Sequence, residues 1–313
     1  PRSLDSDFLT SCHKLRLDAP NCCLVRHKNV KAEDKTTWKI PNDDAQLKKY
    51  ARYLRDKGIR TSTLDSYVFR VGRYLEFCDQ EQPSQETGQK FRDHLMDNGL
   101  SRSSINNYCF AIRQFHRMLG LDFEFTFLKP HNEIPYYFTA DEVNRIFDEI
   151  TNIKHLAIFK TAFFACLRAG DICNLDVKDL DLERLTLRVV EGKGGKNALL
   201  YLSEDAASTL RDYLAVRPDL KLDGRSPLFF SDFGARLDRR DIHRLVINYK
   251  KRAGINKPGG AHVLFRHTPA SIMVMNGCDL LTIQHILRHS DIKTTMRYLH
   301  LADESNARGM INT

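Results

Sequence analysis

The chain has 313 residues, 42% of them hydrophobic, and a formal net charge of +8. This length allows two or three domains with real cores, and the positive charge favours a polyanionic partner without establishing one. No apolar run approaches the ~20 residues of a membrane span, and the first residues lack the apolar core of a signal peptide. Eight scattered cysteines fit the reduced thiols of a cytoplasmic protein rather than a disulfide framework.

Residues 1–40 are predicted to be an N-terminal arm of mixed charge and weak periodicity. The arm contains several potential zinc ligands: Cys12, His13, Cys22, Cys23 and His27. Because these residues lack a CxxC spacing, we predict no metal site. The basic residues of the arm are compatible with contacts to DNA or to a neighbouring subunit, and equally with a solvated tail.

A helical module is predicted over residues 41–128. Four stretches have apolar residues at helical spacing, and three of them end at Gly58, Gly99 and Gly120. Suitable capping residues precede the first three helices: Asn42 or Asp43, Thr61 or Ser62, and Ser84.

This module contains an internal repeat. Residues 56–69, DKGIRTSTLDSYVF, resemble residues 97–110, DNGLSRSSINNYCF. Each copy has a helix end, a glycine turn, a cluster of hydroxyl and basic residues, and the start of a new helix. Helix N-termini present unpaired N–H groups that bind phosphates. Besides capping, we therefore predict contacts to the DNA backbone at Arg60, Thr61, Ser62, Thr63, Arg102, Ser103 and Ser104.

Residues 129–137, KPHNEIPYY, are predicted to be an extended linker between two domains. Pro130 and Pro135 and the absence of a helical period support this interpretation. With one module on each side of the linker, the protein is expected to close around a duplex as a clamp.

The C-terminal module is predicted to span residues 138–313. Thr139 and Glu142 form a capping box, and a second helix over about 154–167 has apolar residues on nearly every face. Arg168 follows directly. A charge at the end of an apolar helix requires a partner, and Asp171 has the spacing to supply one.

A β-hairpin follows. The apolar runs LTLRVV (185–190) and NALLYL (197–202) predict two strands joined by the turn GKGGK. The turn is not a P-loop, because it lacks the GxxxxGK[ST] pattern and no helix follows it. Lys193 or Lys196 at the tip of the hairpin is expected to reach a phosphate or a leaving oxygen.

Two further helices are predicted over about 203–216 and 238–253. The second is strongly basic, which usually indicates a solvated face; here we predict phosphate contacts at Arg239, Arg240 and Arg244. The whole pattern predicts a mainly α fold with a small antiparallel β-sheet, divided into two domains.

Six polar groups form a set able to attack a phosphodiester without a metal or another cofactor: Arg168, Lys193, His262, Arg266, His289 and Tyr298. A phenol with a pKa of about 10 is a poor nucleophile at neutral pH unless its phenolate is stabilised. Two guanidiniums can bind the non-bridging oxygens in a bidentate manner. The histidines can donate or relay protons, and the lysine can act as a general acid.

Residues 41–300 resemble the tyrosine recombinases of the phage integrase and Xer-like family. LRAGDI resembles the family's LRxxEL segment, GKGGK matches its hairpin lysine, RHTPAS resembles RHTFAT, and ILRHSDIKTTMRYLH resembles LLGHSSxxTTxxYxH. The resemblance implies a helical core-binding domain and an α+β catalytic domain. It also implies that Tyr298 forms a 3′-phosphotyrosine and frees a 5′-hydroxyl, without ATP. Four protomers would act on two double-stranded DNA sites, and the free protein would be a monomer or a weak oligomer.

The histidine of the RHTPAS segment departs from the family pattern. The family has HxxR, whereas His262 precedes Arg266 by four positions in HVLFR. Either the backbone bulges and His262 still reaches the phosphate, which we favour, or its role is weakened. His267 is expected to be structural or solvated.

Two other positions also differ from the family. Pro269 replaces an aromatic residue, and since proline is tolerated in a first helical turn, we predict that a helix starts near residues 266–268. Arg288 replaces a glycine and is predicted to add a phosphate contact.

Three functions are therefore considered. The first is a site-specific recombinase or integrase. The second is a catalytically weakened architectural or regulatory DNA-binding protein of the same fold, suggested by the shifted His262. The third is a DNA-relaxing enzyme similar to type IB topoisomerases, which share this chemistry.

Overall fold

A computed structural model of the protein describes four stretches of the chain, residues 45–78, 81–129, 135–190 and 197–299. The first two stretches belong to one compact unit and the last two to a second. The N-terminal arm, the hairpin turn with Lys193 and Lys196, and the chain after Leu299 lie outside the described residues. Within the four stretches, no helix has the length and apolar character needed to cross a membrane.

The first unit consists of four helices: α1 (Ala45–Asp56), α2 (Thr61–Cys78), α3 (Gln85–Asp97) and α4 (Arg102–Met118). Ser84 caps α3 through a capping box with Thr87, and the Ser101 side chain accepts the N–H of Ser104 at the start of α4. Gly58, Gly99 and Gly120 follow helices α1, α3 and α4 with φ of +68°, +71° and +74°. A left-handed residue ends a helix in this way, and glycine adopts it at little cost.

Two buried tyrosines connect the helices of this unit. The Tyr50 hydroxyl donates to the carbonyl of Ala111 at 2.8 Å. The Tyr74 hydroxyl lies 2.9 Å from Oγ1 of Thr87 and 3.1 Å from Nε2 of His116. Burial lowers the pKa of His116 to about 4, so this ring is neutral at pH 7 and serves the core. The hydroxyls thus satisfy polar groups that burial would otherwise leave unpaired.

Gly88 permits the closest approach in this unit. A Cβ atom built on Gly88 would lie 2.3 Å from Cζ of Phe123, which is far inside van der Waals contact. Phe123 is 4% exposed, so the ring has little room to move. Helix α3 therefore needs a glycine where an alanine would otherwise be the better helix former.

Substituting Gly88→Ala is expected to lower the free energy of unfolding by about 1–3 kcal/mol, because overpacking outweighs the helix propensity that alanine adds. Gln89→Ala, at the exposed neighbouring position of the same helix, is the matched control and should be neutral or slightly stabilising. Thermal or denaturant unfolding of both variants checks this. A Gly88→Ala protein as stable as the control would refute the packing argument.

The second unit begins with three helices, α5 (Ala140–Asp148), α6 (Ile153–Phe164) and α7 (Ala169–Asn174). A three-stranded antiparallel sheet follows, with β1 (Leu180–Asp181), β2 (Thr186–Val189) and β3 (Ala198–Tyr201) in the order β1-β2-β3. The predicted hairpin is present, with Thr186 paired to Tyr201 and Val189 paired to Ala198. The remaining helices are α8 (Glu204–Val216), α9 (Arg239–Arg252), α10 (Thr268–Met275), α11 (Leu280–Leu287) and α12 (Lys293–Met296). The mainly α fold with a small antiparallel sheet is thus confirmed.

Helix α6 lies in the main core of this unit. Its residues Ala157, Ile158, Phe159 and Ala162 are fully buried and pack with residues from the sheet and from α8 and α9. The sequence predicted this helix to continue to about residue 167, which is wrong. The helix ends at Phe164, and Cys166 takes a left-handed φ of +49°. Arg168 therefore lies in the connection between α6 and α7.

A second, smaller apolar cluster is formed by Cys166, Ala270, Val274, Ile283, Leu287 and Tyr298. It joins the end of α6 to α10, α11 and the segment after α12. This cluster brings the predicted nucleophile close to the backbone that surrounds the two predicted arginines.

Candidate active site

The guanidiniums of Arg168 and Arg266 converge on one backbone oxygen at the C-terminal end of α11. Nη2 of Arg168 donates to the carbonyls of Leu287 and Arg288, each at 3.3 Å. Nη2 of Arg266 also donates to the Leu287 carbonyl, and its Nη1 donates to the carbonyl of Cys166 at 2.5 Å. The final carbonyls of a helix carry partial negative charge and favour cations. Arg168 and Arg266, which are 98 positions apart in the sequence, thus share one hydrogen-bond acceptor.

Arg266 is 2% exposed, an unusual environment for a charge. Burial, assisted by the charge of Arg168, lowers the pKa of Arg266 to about 10, so the group remains cationic at pH 7. Its Nε atom is buried and has no hydrogen-bond partner within the described stretches of the chain. A buried cation with an unsatisfied donor is suited to receive an anion.

Asp171 does not pair with the side chain of Arg168 as predicted. The sequence proposed it as the partner of the Arg168 side chain, but its Oδ2 accepts the backbone N–H of Arg168 at 3.1 Å and forms an ion pair with the guanidinium of Arg288. The structure corrects this assignment. With cations at 168, 266 and 288 around one paired carboxylate, this part of the described chain carries excess positive charge.

Arg288 occupies a strained position. It caps the C-terminus of α11 with φ of +53°, which costs a non-glycine residue roughly 1 kcal/mol. Its Nε is buried and finds no hydrogen-bond partner among the described residues, and its side chain is only 12% exposed. To make the predicted phosphate contact, the Arg288 side chain would have to exchange its ion pair with Asp171 for the phosphate.

His289 is held by the loop that follows α11. Its Nδ1 lies 2.9 Å from Oγ1 of the buried Thr295, and its carbonyl accepts from Nε2 of Gln284 at 3.0 Å. Burial, together with the charges of Arg266 and Arg168, lowers the pKa of His289 to about 4. The ring is therefore neutral at pH 7, and the contact to Thr295 uses Nδ1 rather than Nε2.

Tyr298, the predicted nucleophile, is 2% exposed. Burial raises the pKa of its phenol to about 12, although the charges of Arg297 and Arg266 act in the opposite direction. Its hydroxyl lies 2.6 Å from Nδ1 of His267. The side chain is thus a neutral phenol in contact with a histidine that sequence analysis had placed among structural or solvated residues.

The unusual spacing between His262 and Arg266 is accommodated by a π-turn over Val263–His267. The N–H of Thr268 donates to the carbonyl of Val263, five residues earlier. The predicted bulge is therefore present as a widened helical turn, and the α-helix proper starts at Thr268 within the predicted interval, with Pro269 in its first turn.

The π-turn also places two imidazoles together. His262 is exposed, and its ring centroid lies 4.4 Å from that of His267 at an angle of 77°. The histidine with a hydrogen bond to Tyr298 is His267, which lies between His262 and the tyrosine. The RHT segment, in which His267 directly follows Arg266, was the sequence signal that could have drawn attention to this residue.

The predicted DNA-contact residues of the first unit lie around the N-termini of α2 and α4. Most are exposed, whereas Thr63 and Ser104 are half-buried. The carbonyl of Arg60 accepts the N–H groups of Thr63 and Leu64. Arg60 therefore supports the start of α2 through its backbone. Both clusters leave side chains on the surface, as a phosphate contact would require.

The predicted basic contacts of the second unit lie on α9. Arg240 pairs with Asp238 and Arg244 with Asp241, and all four side chains are substantially exposed. Such surface pairs contribute little energy and can exchange for a phosphate. Arg239 instead lies against Gly170: a Cβ atom built on that glycine would be 3.1 Å from Nε of Arg239.

Comparison with known proteins identifies the family. The model of the phage integrase family matches residues 136–305, and that of the phage integrase N-terminal SAM-like domain matches residues 47–120. The chain belongs to the phage integrase family. The first match contains Arg168, Arg266, His289 and Tyr298.

The relatives are tyrosine recombinases. The chain is 30% identical over 268 residues to tyrosine recombinase XerA of Pyrococcus horikoshii, covering 83% of this chain and 90% of the relative. It is 32% identical over 184 residues to tyrosine recombinase XerC of Thermodesulfovibrio yellowstonii, covering 56% of this chain and 60% of the relative. This phage integrase family member is therefore a tyrosine recombinase.

Solved structures support the fold. A crystal structure of XerA recombinase is 28% identical, with a TM-score of 0.52, and the match covers 85% of this chain and 97% of that one. The Tn1549 transposon integrase in complex with a circular intermediate DNA is 20% identical, with a TM-score of 0.66 and coverages of 86% and 99%. At that identity the second likeness shows the architecture alone.

At position 288, glycine is expected to give a more stable protein than alanine by about 1 kcal/mol, because both lack the Asp171 ion pair but only alanine keeps the left-handed strain. Thermal unfolding of Arg288→Gly and Arg288→Ala measures the difference. Equal stability of the two variants would show that the backbone relaxes out of the left-handed region.

The low pKa of His289 predicts a loss of stability in mild acid. Between pH 6.5 and about 4 the unfolded histidine binds a proton that the folded one excludes, so the free energy of unfolding falls as the pH is lowered through this window. The drop in melting temperature between pH 7 and pH 5 should be smaller in His289→Gln than in wild type. His285→Gln, at an exposed position in α11, should retain the wild-type drop.

Proposed function

We propose that this tyrosine recombinase is a site-specific recombinase or integrase of double-stranded DNA, with Arg168 and Arg266 binding the scissile phosphate and Tyr298 attacking it. The observation that carries the proposal is the shared contact of both guanidiniums with the Leu287 carbonyl, beside the apolar cluster that contains Tyr298. A phosphate entering this place would replace backbone carbonyls with a full negative charge, which binds a guanidinium more strongly.

The proposed reaction is a transesterification. The phenolic proton of Tyr298 is taken up by a histidine of the site, His262 or His289. The Tyr298 oxygen bonds to phosphorus while the bond from phosphorus to the 5′ oxygen breaks, giving a 3′-phosphotyrosine and a free 5′-hydroxyl. Arg168 and Arg266 neutralise charge that grows on the non-bridging oxygens. The leaving oxygen needs a proton, for which Lys193 and His289 are the candidates. Attack by the 5′-hydroxyl of a partner duplex reverses the step, so one phosphoester replaces another and no ATP is consumed.

Two alternatives share the fold. A weakened architectural protein was suggested by the extra residue between His262 and Arg266, but the π-turn absorbs that residue and Arg266 still meets Arg168 at Leu287. This favours retained activity. A relaxing enzyme similar to type IB topoisomerases would use the same chemistry, and it differs in acting on one duplex rather than exchanging strands between two.

A nicked suicide substrate that carries the recombination site is expected to trap wild-type protein as a covalent adduct, detected as a band shift on denaturing gels. Tyr298→Phe should abolish the adduct, since the nucleophilic oxygen is lost. Arg168→Ala and Arg266→Ala should each lower the rate of adduct formation by roughly 10³-fold, by analogy with other phosphoryl transfers. Tyr201→Phe, at an exposed site on β3, is the matched control. DNA binding without any wild-type adduct would support the architectural alternative.

Strand exchange separates recombination from relaxation. Wild type mixed with two site-bearing duplexes should give recombinant products and a complex with the mass of four protomers and two duplexes. Without DNA the mass should be that of a monomer or a weak oligomer. Relaxation of supercoiled plasmid without any exchange would instead favour the topoisomerase-like activity.

Binding to the site should weaken steeply as salt is raised, because each neutralised phosphate contributes a slope of about −0.9 to the dependence of log K on log salt. Replacing Arg60 and Arg102 together by alanine should make that slope shallower, and replacing the exposed Arg184 should not. A fluorescence anisotropy titration at several salt concentrations measures this. A flat salt dependence for wild type would contradict the proposed backbone contacts.

A further inference from the structure

The contact between His267 and Tyr298 is not part of the chemistry described above. Nδ1 of His267 lies 2.6 Å from the Tyr298 hydroxyl in a half-buried environment. The His267 side chain also lies against the ring of His262, whose centroid is 4.4 Å away. The hydroxyl that would attack phosphorus is therefore already held by an imidazole before any DNA is bound.

The π-turn accounts for the contact between the two histidines. In a turn with an i to i+5 hydrogen bond, residues five apart lie above one another, whereas an α-helix aligns residues three or four apart. His262 and His267 are five apart and span the π-turn of Val263–His267. His262 therefore lies next to His267 and is exposed, while His267, which directly follows Arg266, lies next to Tyr298.

The surroundings of His267 favour its neutral form. The titratable groups that act on it are His262 and Arg266 from its own element, Arg297 from the segment of Tyr298, and His289 from the loop before α12. Burial is the main cause that lowers the pKa of His267 to about 3, and these groups, which contribute positive charge or none, act in the same direction. Since the Tyr298 phenol keeps its proton, with a pKa raised to about 12, the phenol donates and Nδ1 accepts.

We propose that His267 is a positioning residue of the recombination reaction: its Nδ1 accepts the hydrogen of the Tyr298 hydroxyl and directs the phenol oxygen. The proposal rests on the function proposed above, because it assigns Tyr298 as the nucleophile. His267 acts through Tyr298 and need not touch DNA. It differs from the role expected of His262, which was a contact to the phosphate.

The test compares His267→Phe with His267→Asn. Phenylalanine keeps a ring of similar size but cannot accept a hydrogen bond, whereas the Oδ1 atom of asparagine can take the place of Nδ1. In single-turnover reactions with the suicide substrate, His267→Phe should form the covalent adduct roughly 10²-fold more slowly, as expected for a misplaced reacting atom. His267→Asn should lose less than about 10-fold on the same argument. His285→Gln is the exposed histidine control and should react like wild type.

Two further readouts separate positioning from a structural role. The dissociation constant for the uncut duplex should stay within a few-fold of wild type in both His267 variants. A substrate with a bridging 5′ phosphorothiolate has a leaving group that needs no general acid. On this substrate His267→Phe should still react more slowly than wild type, because the substitution misplaces the attacking Tyr298 oxygen and does not affect protonation of the leaving group.

Several outcomes would overturn the proposal. It fails if His267→Phe forms the adduct at the wild-type rate, if His267→Asn is as slow as His267→Phe, or if the phosphorothiolate restores His267→Phe. Failure of the proposed function gives a different result, namely an adduct that survives Tyr298→Phe or no wild-type adduct at all.

If His267→Phe does not fold, nitrogen NMR of histidine-labelled protein provides the test without changing His267. The wild-type ring should be neutral at pH 7, with its hydrogen on Nε2 and Nδ1 as acceptor. Tyr298→Phe should shift the Nδ1 resonance. An Nδ1 resonance that is unchanged in Tyr298→Phe would rule out the hydrogen bond and the proposal with it.

Discussion

The candidate site of the second unit is organised around one carbonyl group, that of Leu287 at the end of α11. It accepts hydrogen bonds from both Arg168 and Arg266, and it belongs to a residue that is itself fully buried in the cluster containing Tyr298. Like charges repel strongly where the dielectric constant is low. The partial negative charge at a helix C-terminus, with the Cys166 carbonyl and Asp171 nearby, allows the two cations to lie side by side.

This arrangement explains why two guanidinium nitrogens of the site have no hydrogen-bond partner among the residues that the structure describes. Nε of Arg266 and Nε of Arg288 are buried and unsatisfied, and a folded domain contains few such groups. Carbonyl oxygens compensate a guanidinium only in part. In the proposed function, an anion with several oxygens would recover part of the free energy lost in burying these cations, and this would favour phosphate over neutral ligands.

Much of this organisation could be predicted from the sequence, because local patterns determine it. The helices of the first unit followed from apolar spacing and capping residues, and the hairpin followed from two apolar runs around a glycine-rich turn. The positions of Arg168, Arg266, His289 and Tyr298 were recognised through motifs.

The features that the sequence did not predict depend on contacts between residues far apart in the chain. The left-handed Cys166 ends α6 early, and its carbonyl is held by Arg266, 100 positions away; no local signal marks a non-glycine residue for that conformation. The ion pair of Asp171 with Arg288 spans 117 positions and was assigned to a sequence neighbour instead. His267 was given no role because its partner, Tyr298, lies on another element.

The π-turn has a consequence for how this fold tolerates changes in length. One residue inserted into an α-helix rotates everything beyond it by about 100°, which would turn an apolar stripe away from its core. Here the widened turn confines the surplus residue to Val263–His267, and Ala270 and Val274 remain buried beyond it. Insertion at this place thus leaves both the framework of the domain and the contact between His267 and Tyr298 intact, so the spacing between His262 and Arg266 can change without redesigning the helix that follows.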